Sequence, residues 1–146
     1  MTTRPTRGDY VAWRTVTTRW RDDDAYGHLN NATYYELFDT AVNAHLFEAT
    51  GRNVRLLPQI GVVAETSCRY FREIGFPDPI EMGLVVDRVG TSSVIYRIGL
   101  FQGDADEAAA EGRFVHVYVD NTDPGRPVTP MPDVIRAAVE PLLRSA

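Results

Sequence analysis

No lysine occurs anywhere in the 146 residues; all fifteen basic side chains are arginines. That absence removes Schiff-base catalysis and any P-loop lysine, and with them two large reaction classes. Cysteine is nearly absent too: Cys68 stands alone, which excludes an intramolecular disulfide framework and fits a reducing compartment. No apolar run approaches membrane-spanning length, and the opening Met1-Thr2-Thr3-Arg4-Pro5-Thr6-Arg7-Gly8 has no signal-peptide core, so a soluble, cytoplasmic protein that engages no membrane is expected. Positive charge is outweighed, with a net charge of -5 and a pI near 5.1. Such a surface repels nucleic acid, and a phosphate-bearing ligand requires a local cluster of arginines.

Metal and nucleophile signatures are missing as well. Asp22-x-Asp24-x-x-Gly27 begins like a calcium loop, but Tyr26 stands at the fifth position and Thr33 at the twelfth, where a carboxamide or carboxylate and a bidentate glutamate belong. The histidines His28, His45 and His116 are scattered, without zinc-ligand spacing. There is no Gly-x-Ser-x-Gly elbow. Cys68 lies among alternating apolar residues and reads as an inert buried thiol. No metal is expected.

What remains is enough apolar residue, 44%, for one sizeable core. Tyr10 to Trp20 is rich in Val, Thr and Trp and predicts a first strand. From Ala32 to Thr50 there is no proline or glycine, and Tyr34, Leu37, Phe38, Ala41, Val42 and His45 recur at three- and four-residue spacing. This predicts one helix of about five turns, stopped by Gly51. The period then changes to two. Ile60, Val62, Ala64, Thr66, Cys68 and Tyr70 are expected on one face of a strand, and Ile80, Met82, Leu84 and Val86 repeat the pattern. Val94, Tyr96, Ile98 and Leu100 make a third case; Phe114, His116 and Tyr118 mark a fourth, from about Ala108 to Val119. Short Gly- and Pro-bearing connections favour an antiparallel meander. A proline-rich connector then leads to a short helix with Val134, Ile135, Ala138, Val139 and Leu142 inward. The expectation is an α+β fold: a five-stranded antiparallel sheet curled around the long helix, as one domain over residues 1–146 with its core at about 10–119 and the connector and last helix at 120–146.

The densest chemistry lies just before the helix. Asp22, Asp23, Asp24, Gly27 and His28 crowd into one loop, and Asn30-Asn31 follow at once. A run of aspartates is most often a solvated or capping loop. Here the unpaired N–H groups of a helix start face it, where they can polarise a carbonyl and hold an oxyanion.

The stretch Thr18-Arg19-Trp20-Arg21-Asp22-Asp23-Asp24-Ala25-Tyr26-Gly27-His28-Leu29-Asn30-Asn31-Ala32-Thr33-Tyr34-Tyr35 resembles the signature of hotdog-fold acyl-CoA thioesterases of the 4-hydroxybenzoyl-CoA thioesterase type. In that family the pattern is Asp-x-Asp-x-x-Gly, commonly followed by His, a hydrophobic residue, Asn-Asn and an aromatic-rich helix. The order of elements from about Tyr10 to Val119 fits the same fold.

The resemblance implies hydrolysis of an acyl-CoA or related pantetheine thioester. Asp24 takes the place of the catalytic acid, as nucleophile or general base, and the backbone N–H at Asn31 that of the carbonyl-polarising group. Asp22 then holds the loop by accepting backbone hydrogen bonds. Asp23, at the variable position, is expected to be solvated. Gly27 serves a turn that a side chain would obstruct, and His28 either orients Asp24 or water or makes a structural hydrogen bond. A second branch of the family places its acid on the helix, where Glu36 and Asp39 are the candidates. Tyr34, Tyr35, Phe38 and the residues around Leu56-Leu57-Pro58 are candidates for lining the acyl group, although most helical aromatics are ordinary core. Arg72, Arg88 and Arg113 are candidates for the nucleotide end of CoA. No cofactor is implied, coenzyme A being part of the substrate. Family active sites lie between subunits, so a homodimer or homotetramer is implied; Val85, Ile95, Phe101, Val115 and Val117 make the outer sheet face apolar enough to be partly covered. Two other classes stay open: a hotdog hydratase or dehydratase acting on acyl thioesters, and a non-catalytic acyl-CoA-binding module.

Overall fold

The computed structural model describes residues 3–144. Its strands are β1 (Ala12–Val16), β2 (Gln59–Tyr70), β3 (Ile80–Val89), β4 (Ser93–Phe101) and β5 (Ala110–Asp120), with helices α1 (Asn31–Thr50) and α2 (Asp133–Val139). The strands form one antiparallel sheet in the order β1-β3-β4-β5-β2. It curls around α1, whose Tyr34, Phe38, Ala41, Val42 and Leu46 are buried against Val94, Tyr96, Ile98 and Leu100 of β4 and Phe114 and Tyr118 of β5. α2 and a following 3-10 turn at Glu140–Leu142 close the sheet's far end with Ile135, Val139 and Leu142. Among the described residues no helix is long and apolar enough to cross a membrane.

The helix obeys its sequence signals. Asn30 caps it, its side chain accepting from the Ala32 amide at 3.0 Å, and Gly51 ends it in the left-handed region at φ 64°.

The expected meander holds only for β3, β4 and β5, since β2 lies at the other edge beside β5, and two further expectations change. The first strand is shorter than Tyr10 to Trp20. Tyr10 turns onto the outer face, where it packs with Val85, Phe101 and Ala108, and the guanidinium of Arg7 lies 4.9 Å from the Phe101 ring. Part of the apolar outer face is thus covered by the chain's own N-terminal segment. The second change concerns β2: its pairing with β5 slips by one residue between Val63 and Glu65, leaving Ala64 as a bulge. Gly61 and Val63 pair with the inward Tyr118 and His116, then Thr66, Cys68 and Tyr70 pair with Phe114, Gly112 and Ala110. Ile60 and Val62 therefore point outward instead of sharing a face with Cys68 and Tyr70. One extra residue reverses the side of everything before it.

Candidate active site

The loop before α1 is built from the backbone outward. Asp22 is 7% exposed and accepts from the Arg19 amide at 2.8 Å and from its guanidinium at 2.9 and 3.1 Å. Burial alone would raise its pKa, but the Arg19 side chain and amide together hold it below the usual carboxylate range. The Asp22 carbonyl takes the Asn30 amide at 2.9 Å, which fixes the loop to the helix cap. Asp23 is not solvated as expected: its carboxylate accepts from the Phe76 amide at 3.2 Å and ties the loop to the chain entering β3.

Asp24 is exposed, with Oδ1 accepting from the amides of Tyr26 at 2.8 Å and His28 at 3.2 Å. These two backbone donors keep its pKa below the ordinary value. Its Oδ2 has no partner among the described residues, so one oxygen is anchored and the other is left without a hydrogen bond. Gly27 makes the turn possible through its left-handed φ of 79°. A Cβ there would meet nothing within 4 Å, so the requirement is conformational and not the steric obstruction expected.

The first amide of α1 completes the arrangement. The Ala32 and Thr33 amides are taken by the side chain and carbonyl of Asn30, whereas the Asn31 N–H has no acceptor among the described residues. Asp24, His28, Asn31, Tyr34, Tyr70 and Arg72 line one open pocket of about 370 Å³. Asp24 and Asn31, the residues that carry the unpaired acid oxygen and the unpaired amide, thus line the same cavity. Tyr34 is 4% exposed; burial, with Cys68, Glu73 and Asp24 adding to it, pushes its hydroxyl up to about 12, so it stays a donor.

Other candidates divide. The His28 ring pairs with Glu73 at 2.9 Å and reaches Asp24 only through its backbone. Phe38 is wholly buried and packs toward Gly112, which makes it core. Tyr35, Glu36 and Asp39 lie along a shallow groove with Val63 and Thr66 of β2, outside the Asp24 pocket. Arg72 lines that pocket and donates to the Gln102 carbonyl at 3.1 Å; Arg113 pairs with Glu65. Arg88 is exposed at the far end of β3, and within one chain the fold does not bring it to Asp24. Burial pushes the Cys68 thiol up to about 11, so it is unreactive. Among the described residues no group of three or more metal-ligating side chains occurs.

Sequence reasoning missed Tyr70, Phe71 and Glu73 as site residues; they lie at and just after the end of β2, far along the chain from Asp24. Tyr70 meets Tyr34 edge-on at 4.9 Å, and Arg69 lies 5.4 Å from the Phe71 ring. The inward phase of Tyr70 was the only signal available.

Residues 18–139 match the model of the thioesterase-like superfamily. The chain is 45% identical to the PA5185 protein of Pseudomonas aeruginosa, with 99% of each chain covered and a TM-score of 0.92. Two more distant structures share the fold: Slr0204 of Synechocystis, a 1,4-dihydroxy-2-naphthoyl-CoA thioesterase (13% identity, 87% and 93% covered, TM-score 0.77), and the gentisyl-coenzyme A thioesterase BH1999 (20% identity, 87% and 98% covered, TM-score 0.75). Among curated proteins none matches. With its hotdog sheet, its long enclosed helix and a family match over most of its length, the chain belongs to the thioesterase-like superfamily and is a thioester hydrolase.

Proposed function

We propose that the substrate is an acyl-CoA, or a related pantetheine thioester, and that the chemistry follows the 4-hydroxybenzoyl-CoA thioesterase type. The observation that carries this is the pocket that Asp24 and Asn31 line together. The thioester carbonyl oxygen sits at the Asn31 N–H, which holds the charge developing on it; one such donor is worth about 2.7 to 4 kcal/mol of barrier. Asp24, ionised and held at Oδ1, attacks the carbonyl carbon through Oδ2 or takes a proton from the attacking water. The CoA thiolate leaves and is protonated; water supplies the oxygen of the free acid. His28 shapes the Asp24 turn through its amide, and Arg72 faces the phosphates of CoA from the pocket wall. No cofactor enters these steps.

The enzyme works as a cytoplasmic homo-oligomer in this reading. β2 is an edge strand of 12 residues, its stretch Val63–Ser67 is exposed, and Val63 is 48% exposed. Such an edge presents unpaired N–H and C=O groups that a second β2 can satisfy. The groove carrying Tyr35, Glu36 and Asp39 flanks it and becomes part of the contact.

A panel of acyl-CoAs assayed with a thiol-detecting dye tests the assignment on wild type and Asp24→Ala. Thiol release lost in the variant supports it. Saturable binding without release points to a binding module, and conversion without thiol release to a hydratase.

A further inference from the structure

A second cavity, of about 200 Å³, lies at the other end of α1, among Asn43, Leu46, Gln59, Gly61, His116 and Tyr118. His116 is 3% exposed, and neither ring nitrogen has a hydrogen bond among the described residues; Nδ1 is fully enclosed without a partner, so an occupant of the cavity meets the ring through Nε2. Burial pulls its pKa down to about 4, so at neutral pH the imidazole is uncharged and offers one donor and one acceptor. A buried group in that state carries a cost that a hydrogen-bonding occupant removes. The two rings pack directly against Gly61, where a Cβ would stand 2.9 Å from His116 Nδ1 and 3.1 Å from Tyr118 Cζ, so a larger residue there would displace them from the cavity wall.

This cavity is too small for CoA, and its own chain's Asp24 pocket is out of reach. Asn31 and Asn43 lie twelve residues apart on one helix, about 18 Å, with buried Phe38, Ala41 and Val42 between them. A second copy changes the geometry. Two antiparallel β2 edges, centred on the exposed Val63–Ser67 stretch, set Gln59–Gly61 of one copy opposite Arg69–Phe71 of the other. The first segment walls the His116 cavity and the second walls the Asp24 pocket.

We propose that each His116 cavity receives the distal end of the acyl group held at the other copy's Asp24, and that His116, beside the Tyr118 hydroxyl, selects acyl groups ending in a neutral hydrogen-bonding function such as a hydroxyl. This rests on the thioesterase and oligomer readings above. A hydroxyl tip can hydrogen-bond the imidazole while a methyl tip cannot. Arg55 at the cavity wall offers the competing preference, a carboxylate tip.

The test measures kcat/KM by thiol release from butanoyl-, hexanoyl- and octanoyl-CoA, from their terminally hydroxylated counterparts, and from adipyl-CoA. At the best length wild type favours the hydroxylated member by about tenfold or more. His116→Leu abolishes that preference by slowing the hydroxylated substrate alone, and His116→Gln restores part of it. Should the leucine variant not fold, Tyr118→Phe reads the same selectivity and must weaken it. Equal rates for the two members in wild type, or an equal loss for both in His116→Leu, overturns the proposal. A faster adipyl-CoA overturns the neutral-tip assignment in favour of Arg55. Absence of thiol release from every substrate by wild type sinks the hydrolase reading itself, a result distinct from lost selectivity.

Discussion

The two ends of the central helix solve opposite problems. At its start, Asp24 is charged, open to solvent and held by two backbone amides; at its rear, His116 is enclosed and uncharged, with both ring nitrogens unpaired. Each end leaves hydrogen-bonding groups that the described residues do not use: Asp24 Oδ2 and the Asn31 N–H at the front, and the imidazole at the back. Secondary structure normally consumes such groups. The difference between the ends is one of dielectric: a carboxylate stays ionised where water, amide donors or a cation reach it, which is why reaction is proposed at the front and recognition of a neutral group at the rear.

The sharpest way to break this division is to delete the front amide alone. Proline lacks an N–H and is tolerated at the first helical position, and Asn30 already has the extended ψ of 140° that a following proline requires. Asn31→Pro is expected to lower kcat by about 10²- to 10³-fold with an unchanged melting temperature. Asn31→Ala, which keeps the amide, should leave the rate nearly intact. A proline variant as fast as wild type would remove the amide from the mechanism.

A pH profile separates the ends differently. Because the amides of Tyr26 and His28 depress the Asp24 pKa, the active ionised form persists as pH falls, and kcat/KM should decline only below the ordinary carboxylate range. An acid limb near neutrality would contradict the carboxylate assignment.

Support of the loop is the next effect in size. Asp22→Ala strips Arg19 of its buried partner and should lower unfolding free energy by about 1.5 to 3 kcal/mol in urea. With the Asp22 pKa depressed in the fold, that contribution is present above the unfolded carboxylate pKa and fades as pH falls through the lower folded value. The penalty of the substitution should shrink in acid; a penalty independent of pH would show that the charge is not what Arg19 holds. Smallest is Gly27→Ala, which places a side chain at φ 79° and should cost about 1 to 2 kcal/mol, without changing selectivity at the rear.

Much of this was legible in the residues. The helix from its Asn cap to Gly51, the inward sets on β3, β4 and β5, and the Asp-x-Asp-x-x-Gly loop are all local patterns. What escaped notice depends on groups distant along the chain. The Ala64 bulge leaves composition unchanged while reversing Ile60 and Val62. Tyr10 looks like a strand residue but serves the outer face. Asp23 finds the Phe76 amide only because the chain entering β3 folds back on it. His116 fits the alternation of a core strand, and nothing in that alternation reveals an unpaired imidazole packed against a glycine of a neighbouring strand.

The central claim is that the free oxygen of Asp24 does the chemistry, and the most direct measurement is CoA release at saturating substrate by Asp24→Asn, which keeps the side chain's shape. The account predicts a fall of about 10²- to 10⁴-fold with an unaltered fold and near-normal activity in Glu36→Gln and Asp39→Asn. Wild-type turnover in Asp24→Asn, with activity lost in Glu36→Gln instead, would contradict it.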